Sequence, residues 1–144
     1  MVAQRKIRGV VFEGAVSEPE AYLAVADIFV LPSFREGAPN ALLEAMTAGL
    51  PTVSSRIGGV EDLVVDGETG LMFPAGDARA LTEALSGLIE NPKRRRDIGT
   101  ASRRHAMDNW SVAVIAHRYI DAYKMLIDNR RVNASMHAPA STKI

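Results

Sequence analysis

The chain has 144 residues, with 17 basic and 17 acidic side chains and a formal net charge of zero. At 47% hydrophobic and 24% charged it matches average globular usage, enough for one domain with a packed core. The balanced charge argues against a binder of nucleic-acid phosphates, the absence of cysteine excludes disulfide scaffolds and thiolate sites, and no apolar run is long enough to span a bilayer.

The first apolar run, Val10-Val11-Phe12, stops at Gly14. A helical pattern over 19–27 leads into Ile28-Phe29-Val30-Leu31, which stops at Pro32. A second helix is predicted over 40–48, with Pro39 at its first position, Gly49 in the left-handed conformation past its end, and Pro51 blocking continuation. Thr52-Val53-Ser54 and Leu71-Met72-Phe73 are two further runs bounded by glycine or proline, with one helical turn over 61–66 between them. Short runs rich in β-branched or aromatic residues between chain breakers read as strands. Asp77 caps a helix over 78–90 whose Leu81, Leu85 and Leu88 form one apolar stripe. Asn91-Pro92 breaks and restarts the chain. Ser111 caps a last helix to about Asp128, with Trp110 and Ile115 spaced as a hydrophobic staple and Tyr119, Tyr123 and Leu126 on its packing face. The segment 129–144 lacks periodicity and is expected to be a disordered tail. Strands alternating with helices predict an α/β fold, a partial Rossmann-like parallel sheet of about four strands with flanking helices and a helical carboxyl end.

In such a sheet ligands bind beyond the carboxyl ends of the strands. Four loops qualify: 14–18, 32–39, 55–61 and 74–77. The second, Pro32-Ser33-Phe34-Arg35-Glu36-Gly37-Ala38-Pro39-Asn40, enters the helix that bears Glu44. Amides at a helix start suit a phosphate or a sugar hydroxyl, and Gly37 permits close backbone approach. A carboxylate accepts hydrogen bonds from a vicinal diol. Two carboxylates around an anion site suit a ligand with hydroxyls at both ends of a phosphate, as in a nucleotide sugar. The spacing alone equally admits a helix-capping acid and a solvated surface glutamate.

The ordered string is more specific. Ala26-Asp27-Ile28-Phe29-Val30-Leu31-Pro32-Ser33, Glu36-Gly37-Ala38-Pro39-Asn40, Leu43-Glu44-Ala45-Met46, Ala48-Gly49-Leu50-Pro51-Thr52-Val53, Gly58-Gly59-Val60-Glu61 and Asp66-Gly67-Glu68-Thr69-Gly70-Leu71 closely resemble the donor-side half of family-four glycosyltransferases of the GT-B architecture. The resemblance implies that Glu36, the catalytic-side acid, contacts hydroxyls of the transferred sugar, and that Glu44 holds the ribose diol. It implies that the backbone of Gly37, Ala38, Pro39, Asn40, Ala41, Leu42 and Leu43 meets sugar and diphosphate, and that Gly14, Ala15 and Val16 touch the base. Gly58, Gly59 and Glu61 lie on the same rim or simply form a turn. Such enzymes use a nucleotide-diphosphate sugar as donor, retain configuration, and need no tightly bound cofactor or metal at the nucleotide.

The chain also departs from the pattern. The family's donor domain resembles a six-stranded unit whose first two strands bring an arginine and a lysine to the diphosphate. Nothing before Val10 matches them, and Arg5, Lys6 and Arg8 lie too close to the first run. The acceptor-binding amino-terminal domain has no counterpart either, and His105, His117 and His137 match no family position. The resemblance therefore implies a truncated domain over 1–128, inactive alone, whose acceptor half lies in cis or in a partner chain. With Val10–Phe12 as third strand and Ile28–Leu31 as fourth, the two strands between them in the order 3-2-1-4-5-6 are missing. Exposed edges then invite a homo-oligomer. The same string is compatible with a regulatory binding subunit that completes its sheet with a partner, or with a GT-B nucleotide-sugar epimerase. The cluster Lys93-Arg94-Arg95-Arg96, with Arg103-Arg104 and Arg130-Arg131, is either a solvated helix face or a patch for anionic lipid. With no leader sequence evident in Met1 to Arg8, a cytoplasmic protein is expected, peripheral at the inner membrane face if that patch meets lipid.

Overall fold

The computed structural model describes the backbone of residues 8–136 and the side chains of residues 8–128. The elements in chain order are α1 (Pro19–Val25), β1 (Phe29–Leu31), α2 (Asn40–Ala48), β2 (Thr52–Ser55), α3 (Gly58–Glu61), β3 (Leu71–Phe73), α4 (Ala78–Ile89), α5 (Pro92–Trp110) and α6 (Val112–Met136). The sheet has three strands in the order β1-β2-β3, all parallel, with Val30 opposite Val53 and Val53 opposite Leu71. β2 is the central strand and every residue in it is buried. Leu42, Met46, Val60, Val64 and Ala106 pack on one face, and Val53, Leu71, Phe73, Leu88 and Ile98 on the other. Helices on both faces of a parallel sheet make this an α/β fold.

The turn chemistry places the helices. Gly49 ends α2 at φ 85, a conformation that costs a glycine no Cβ clash. Asp77 Oδ1 accepts from the amides of Arg79 and Ala80 at 3.0 Å each and starts α4. Asn91 Oδ1 accepts from the Arg94 amide at 2.9 Å with Pro92 in the first turn of α5. α5 then ties the two layers together. Ile98 joins one core cluster and Ala106 the other. Arg95 donates to the carbonyls of Leu88 and Ile89 at the end of α4, and Arg103 donates to Thr47 O at the end of α2. Lys93 pairs with Asp97 on its own helix. Part of the basic cluster is thus committed to holding helix ends, where positive charge offsets the dipole.

Several expectations need correction. Val10–Phe12 is not a strand. Its side chains are exposed, Phe12 at 79%, and β1 pairs only with β2. An extended apolar run gains strand structure only from a neighbour that completes its ladder, and none lies beside it among the described residues. Among these residues the sheet has three strands rather than four. Pro39 precedes α2 instead of opening it, and the single helical turn falls at Gly58–Glu61, ahead of 61–66. The last helix runs past Asp128 to Met136; residues 137–144 of the expected tail, and His137, lie outside the described residues. Tyr119, Tyr123 and Leu126 on α6 are more than half exposed, as expected of a packing face that meets a further domain absent from the described residues.

Two helical glycines give a contrast that stability measurements can read. Exchange of an exposed helical Gly for Ala gains about 0.5–1 kcal/mol from propensity. Gly87 in α4 has room, because an added Cβ would meet only Arg94 Nη1 at 3.5 Å. In α5 a Cβ on Gly99 would collide with the Gly49 carbonyl oxygen, where α5 crosses the end of α2. Overpacking against backbone costs about 1–3 kcal/mol. Urea unfolding is therefore expected to show Gly87→Ala as neutral to stabilising and Gly99→Ala as destabilising.

Candidate donor site at the start of α2

The loop from β1 to α2 carries the predicted acids, and its backbone is fixed from one side. Gly59 of α3 sits so close that a Cβ there would lie 2.6 Å from the Gly37 carbonyl oxygen and 3.0 Å from that of Glu36. In a planar trans peptide the N–H points opposite to the C=O. Turning these two carbonyls toward Gly59 directs the amides of Gly37 and Ala38 the other way. Neither amide has an acceptor among the described residues, and the Ala41 amide in the first turn of α2 has none either. The neighbouring amides are taken: Asn40 donates to Ala38 O at 2.9 Å, and Leu42 and Leu43 donate to Pro39 O at 3.0 and 3.2 Å. Ala38, Asn40 and Ala41 are exposed, so the helix start is open.

Three adjoining hollows follow this loop. The first, about 480 Å³, is lined by Phe34, Arg35, Glu36, Gly37, Ile57 and Gly58. The second, about 230 Å³, shares Gly37 with it and continues over Ala38, Pro39, Asn40 and Leu43 to Gly59, Asp62 and Trp110. The third, about 750 Å³ and mainly apolar, shares Asn40, Leu43 and Trp110 and adds Glu44, Glu20 and Leu23. Glu36 and Glu44 therefore stand at opposite ends of one run of hollows, with the open helix start between them.

The two acids differ in freedom. Glu36 is half-buried, and Ser33 Oγ donates to its Oε1 at 2.6 Å, which holds the carboxylate in one orientation. Glu44 is exposed, about one turn into α2. Ala41 is exposed on the same turn, whereas Pro39 and Leu42 are buried and offer only backbone. Gly58 and Gly59 have amides without acceptors among the described residues. Glu61 lies 3.9 Å from Arg56, which also pairs with Asp66. Gly14 and Val16 are not among the residues that line the three hollows, whereas Glu20 and Leu23 of the following α1 line the third. Trp110, Ser33 and Ile57 belong to the site without having been marked by sequence. Ser33 was legible as a hydroxyl one short turn before Glu36; Trp110 comes from the far end of α5 and left no local signal. No group of acids and histidines arranged to hold a metal ion occurs among the described residues.

Residues 2–91 match the family model described as glycosyl transferases, group 1. The chain belongs to this family. The chain is 36% identical, over 110 residues, to the GDP-mannose-dependent alpha-(1-6)-phosphatidylinositol monomannoside mannosyltransferase of Mycolicibacterium smegmatis, covering 70% of this chain and 29% of that one. The chain thus spans under a third of the length of that curated relative. Sucrose-phosphate synthase from Thermosynechococcus elongatus superposes with a TM-score of 0.80 at 28% identity, over 89% of this chain and 33% of that one. HepE of Anabaena, solved in complex with UDP, shares the fold with a TM-score of 0.82 at 21% identity, over 86% of this chain and 35% of that one. The architecture is that of one half of a GT-B glycosyltransferase.

In a group 1 glycosyl transferase the packing of α3 on the acidic loop is open to direct test. Gly58 has nothing within 4 Å of an added Cβ, whereas Gly59 abuts two carbonyls. Gly59→Ala is expected to cost about 1–3 kcal/mol, from overpacking, and to move the amide resonances of Gly37 and Ala38. Gly58→Ala is expected to do neither. Urea unfolding and amide NMR of the two variants check this.

Proposed function

We propose that this chain forms the donor side of a retaining hexosyltransferase, binding a nucleotide-diphosphate sugar along the three hollows. The observation that carries this reading is the open start of α2, with the unpartnered amides of Gly37, Ala38 and Ala41 between Glu36 and Glu44. Amides at a helix start favour a diphosphate through both hydrogen bonding and the helix dipole. Glu44, exposed about one turn into α2, accepts from the ribose diol. Glu36, held by Ser33, accepts from hydroxyls of the sugar and fixes its anomeric carbon relative to the leaving phosphate.

The chemistry these residues supply is positioning and charge stabilisation. Sugar transfer breaks the bond between the anomeric carbon and the distal phosphate oxygen, so negative charge grows on the diphosphate. Amides already aimed at that oxygen stabilise the developing charge without reorganising. The acceptor hydroxyl must come from a second surface, which we assign to a further domain or a partner chain. Transfer by the 144-residue chain alone is expected to be negligible.

Calorimetric titration with UDP, GDP and ADP tests the reading, since one relative's name specifies GDP-mannose and a structural neighbour holds UDP. One of the three is expected to bind. Glu44→Ala is expected to weaken that nucleotide about tenfold or more, a hydrogen bond to a charged group contributing about 1.5–3 kcal/mol. Glu36→Ala is expected to weaken the nucleotide sugar while leaving the free nucleotide nearly unchanged. Binding of none of the three, or unchanged affinity in Glu44→Ala, overturns the assignment.

A further inference from the structure

Arg35 is a charged residue in the donor site to which the reading above gives no task. It lines the first hollow together with Glu36, Gly37 and Gly58. The neighbouring Glu36 carboxylate accepts from Ser33 Oγ at one of its oxygens and makes no ion pair with Arg35. Among the described residues Arg35 makes no ion pair, whereas Arg56, Arg79 and Arg95 each do. Its side chain is exposed, and the hollow it lines joins the middle one through Gly37, whose amide is unpartnered.

We propose that Arg35 supplies the positive charge for the distal phosphate of the donor, acting beside the Gly37 and Ala38 amides. The inference rests on the nucleotide-sugar reading. The order of the hollows selects the distal phosphate. Glu44 and the ribose occupy one end, the start of α2 the middle, and Glu36 and the sugar the other. The phosphate that carries the sugar therefore lies nearest Gly37, two residues along the chain from Arg35. A guanidinium offers several N–H donors in a planar fork that matches two phosphate oxygens.

The test is a calorimetric comparison of the matching nucleoside diphosphate and monophosphate on the wild-type chain, Arg35→Gln, Arg35→Lys and Glu44→Ala. The wild type is expected to prefer the diphosphate. Loss of one charge-assisted contact is expected to weaken the diphosphate about tenfold in Arg35→Gln while leaving the monophosphate within about twofold, so that the preference collapses. Arg35→Lys is expected to recover part of it, because charge is kept and the fork is lost. Glu44→Ala is expected to weaken both nucleotides alike and preserve their ratio. An unchanged diphosphate-to-monophosphate ratio in Arg35→Gln overturns the role of Arg35 and leaves the donor reading standing. If the wild type binds no nucleotide, both fall together.

Discussion

The candidate site depends on one backbone contact, the seating of Gly59 against the carbonyls of Glu36 and Gly37. Any other residue at 59 would force the loop to shift, since its Cβ would lie 2.6 Å from the Gly37 carbonyl oxygen, inside the contact distance of carbon and oxygen. Because the contact uses carbonyls, it leaves the amides on the opposite surface of the same peptide planes. A loop that would otherwise satisfy its donors internally is held with them unsatisfied and open to solvent. Unpartnered amides in the open lose little by being exposed to water, yet they are prepaid in geometry for an anion. Gly76, at φ 84, also lies close to the acid-bearing segment, where an added Cβ would meet the ring of Phe34 at 3.3 Å.

The direction of α2 is set at its other end. Gly49 turns the chain, Gly99 lets α5 cross closely, and Arg103 takes the Thr47 carbonyl. Leu42, Ala45 and Met46 are completely buried under this crossing. A helix pinned by its carboxyl end and one apolar face cannot swing its amino end, so the separation of Glu36 and Glu44 becomes a property of the core. Trp110 extends that logic. It closes α5, packs on the core cluster containing Leu42 and Met46, and forms a wall of two of the three hollows, with Arg118 5.5 Å above its ring.

What the sequence disclosed follows from the range of the forces involved. Asp77 and Gly49 act within a few residues of themselves, and their roles could be stated before any coordinates, whereas Asn91 is legible as a break and not as the cap of α5. The strands after residue 28 are cut out by glycine and proline, and their apolar runs face helices from both sides. Val10–Phe12 has the same local composition and still makes no strand, because a ladder is a property of two segments and its neighbour cannot be inferred from one. Among the site residues, Glu36 and Glu44 were visible through their setting, whereas Trp110 and the taken state of the Glu36 carboxylate belong to tertiary structure. Gly14 and Val16 were carried over by position alone. Their segment runs into α1 without a strand to anchor it, and nothing local directs it to the acids.

A site with two glutamates that is to hold a diphosphate faces an electrostatic conflict. Like charges within one site repel, more strongly where the site excludes water. On the donor reading proposed above, Glu36 is the more serious of the pair, since that reading sets it close to the sugar and hence to the phosphate that carries it. Two features of the loop reduce the conflict. Ser33 donates to Glu36 Oε1, which disperses part of the carboxylate charge and leaves Oε2 without a partner among the described residues. Arg35, adjacent in sequence and lining the same hollow, returns the local charge to neutrality. The net charge of zero over the whole chain does not require this arrangement, but the alternation of hydroxyl, cation and acid through Ser33, Arg35 and Glu36 accounts for how an acidic turn can receive an anionic ligand.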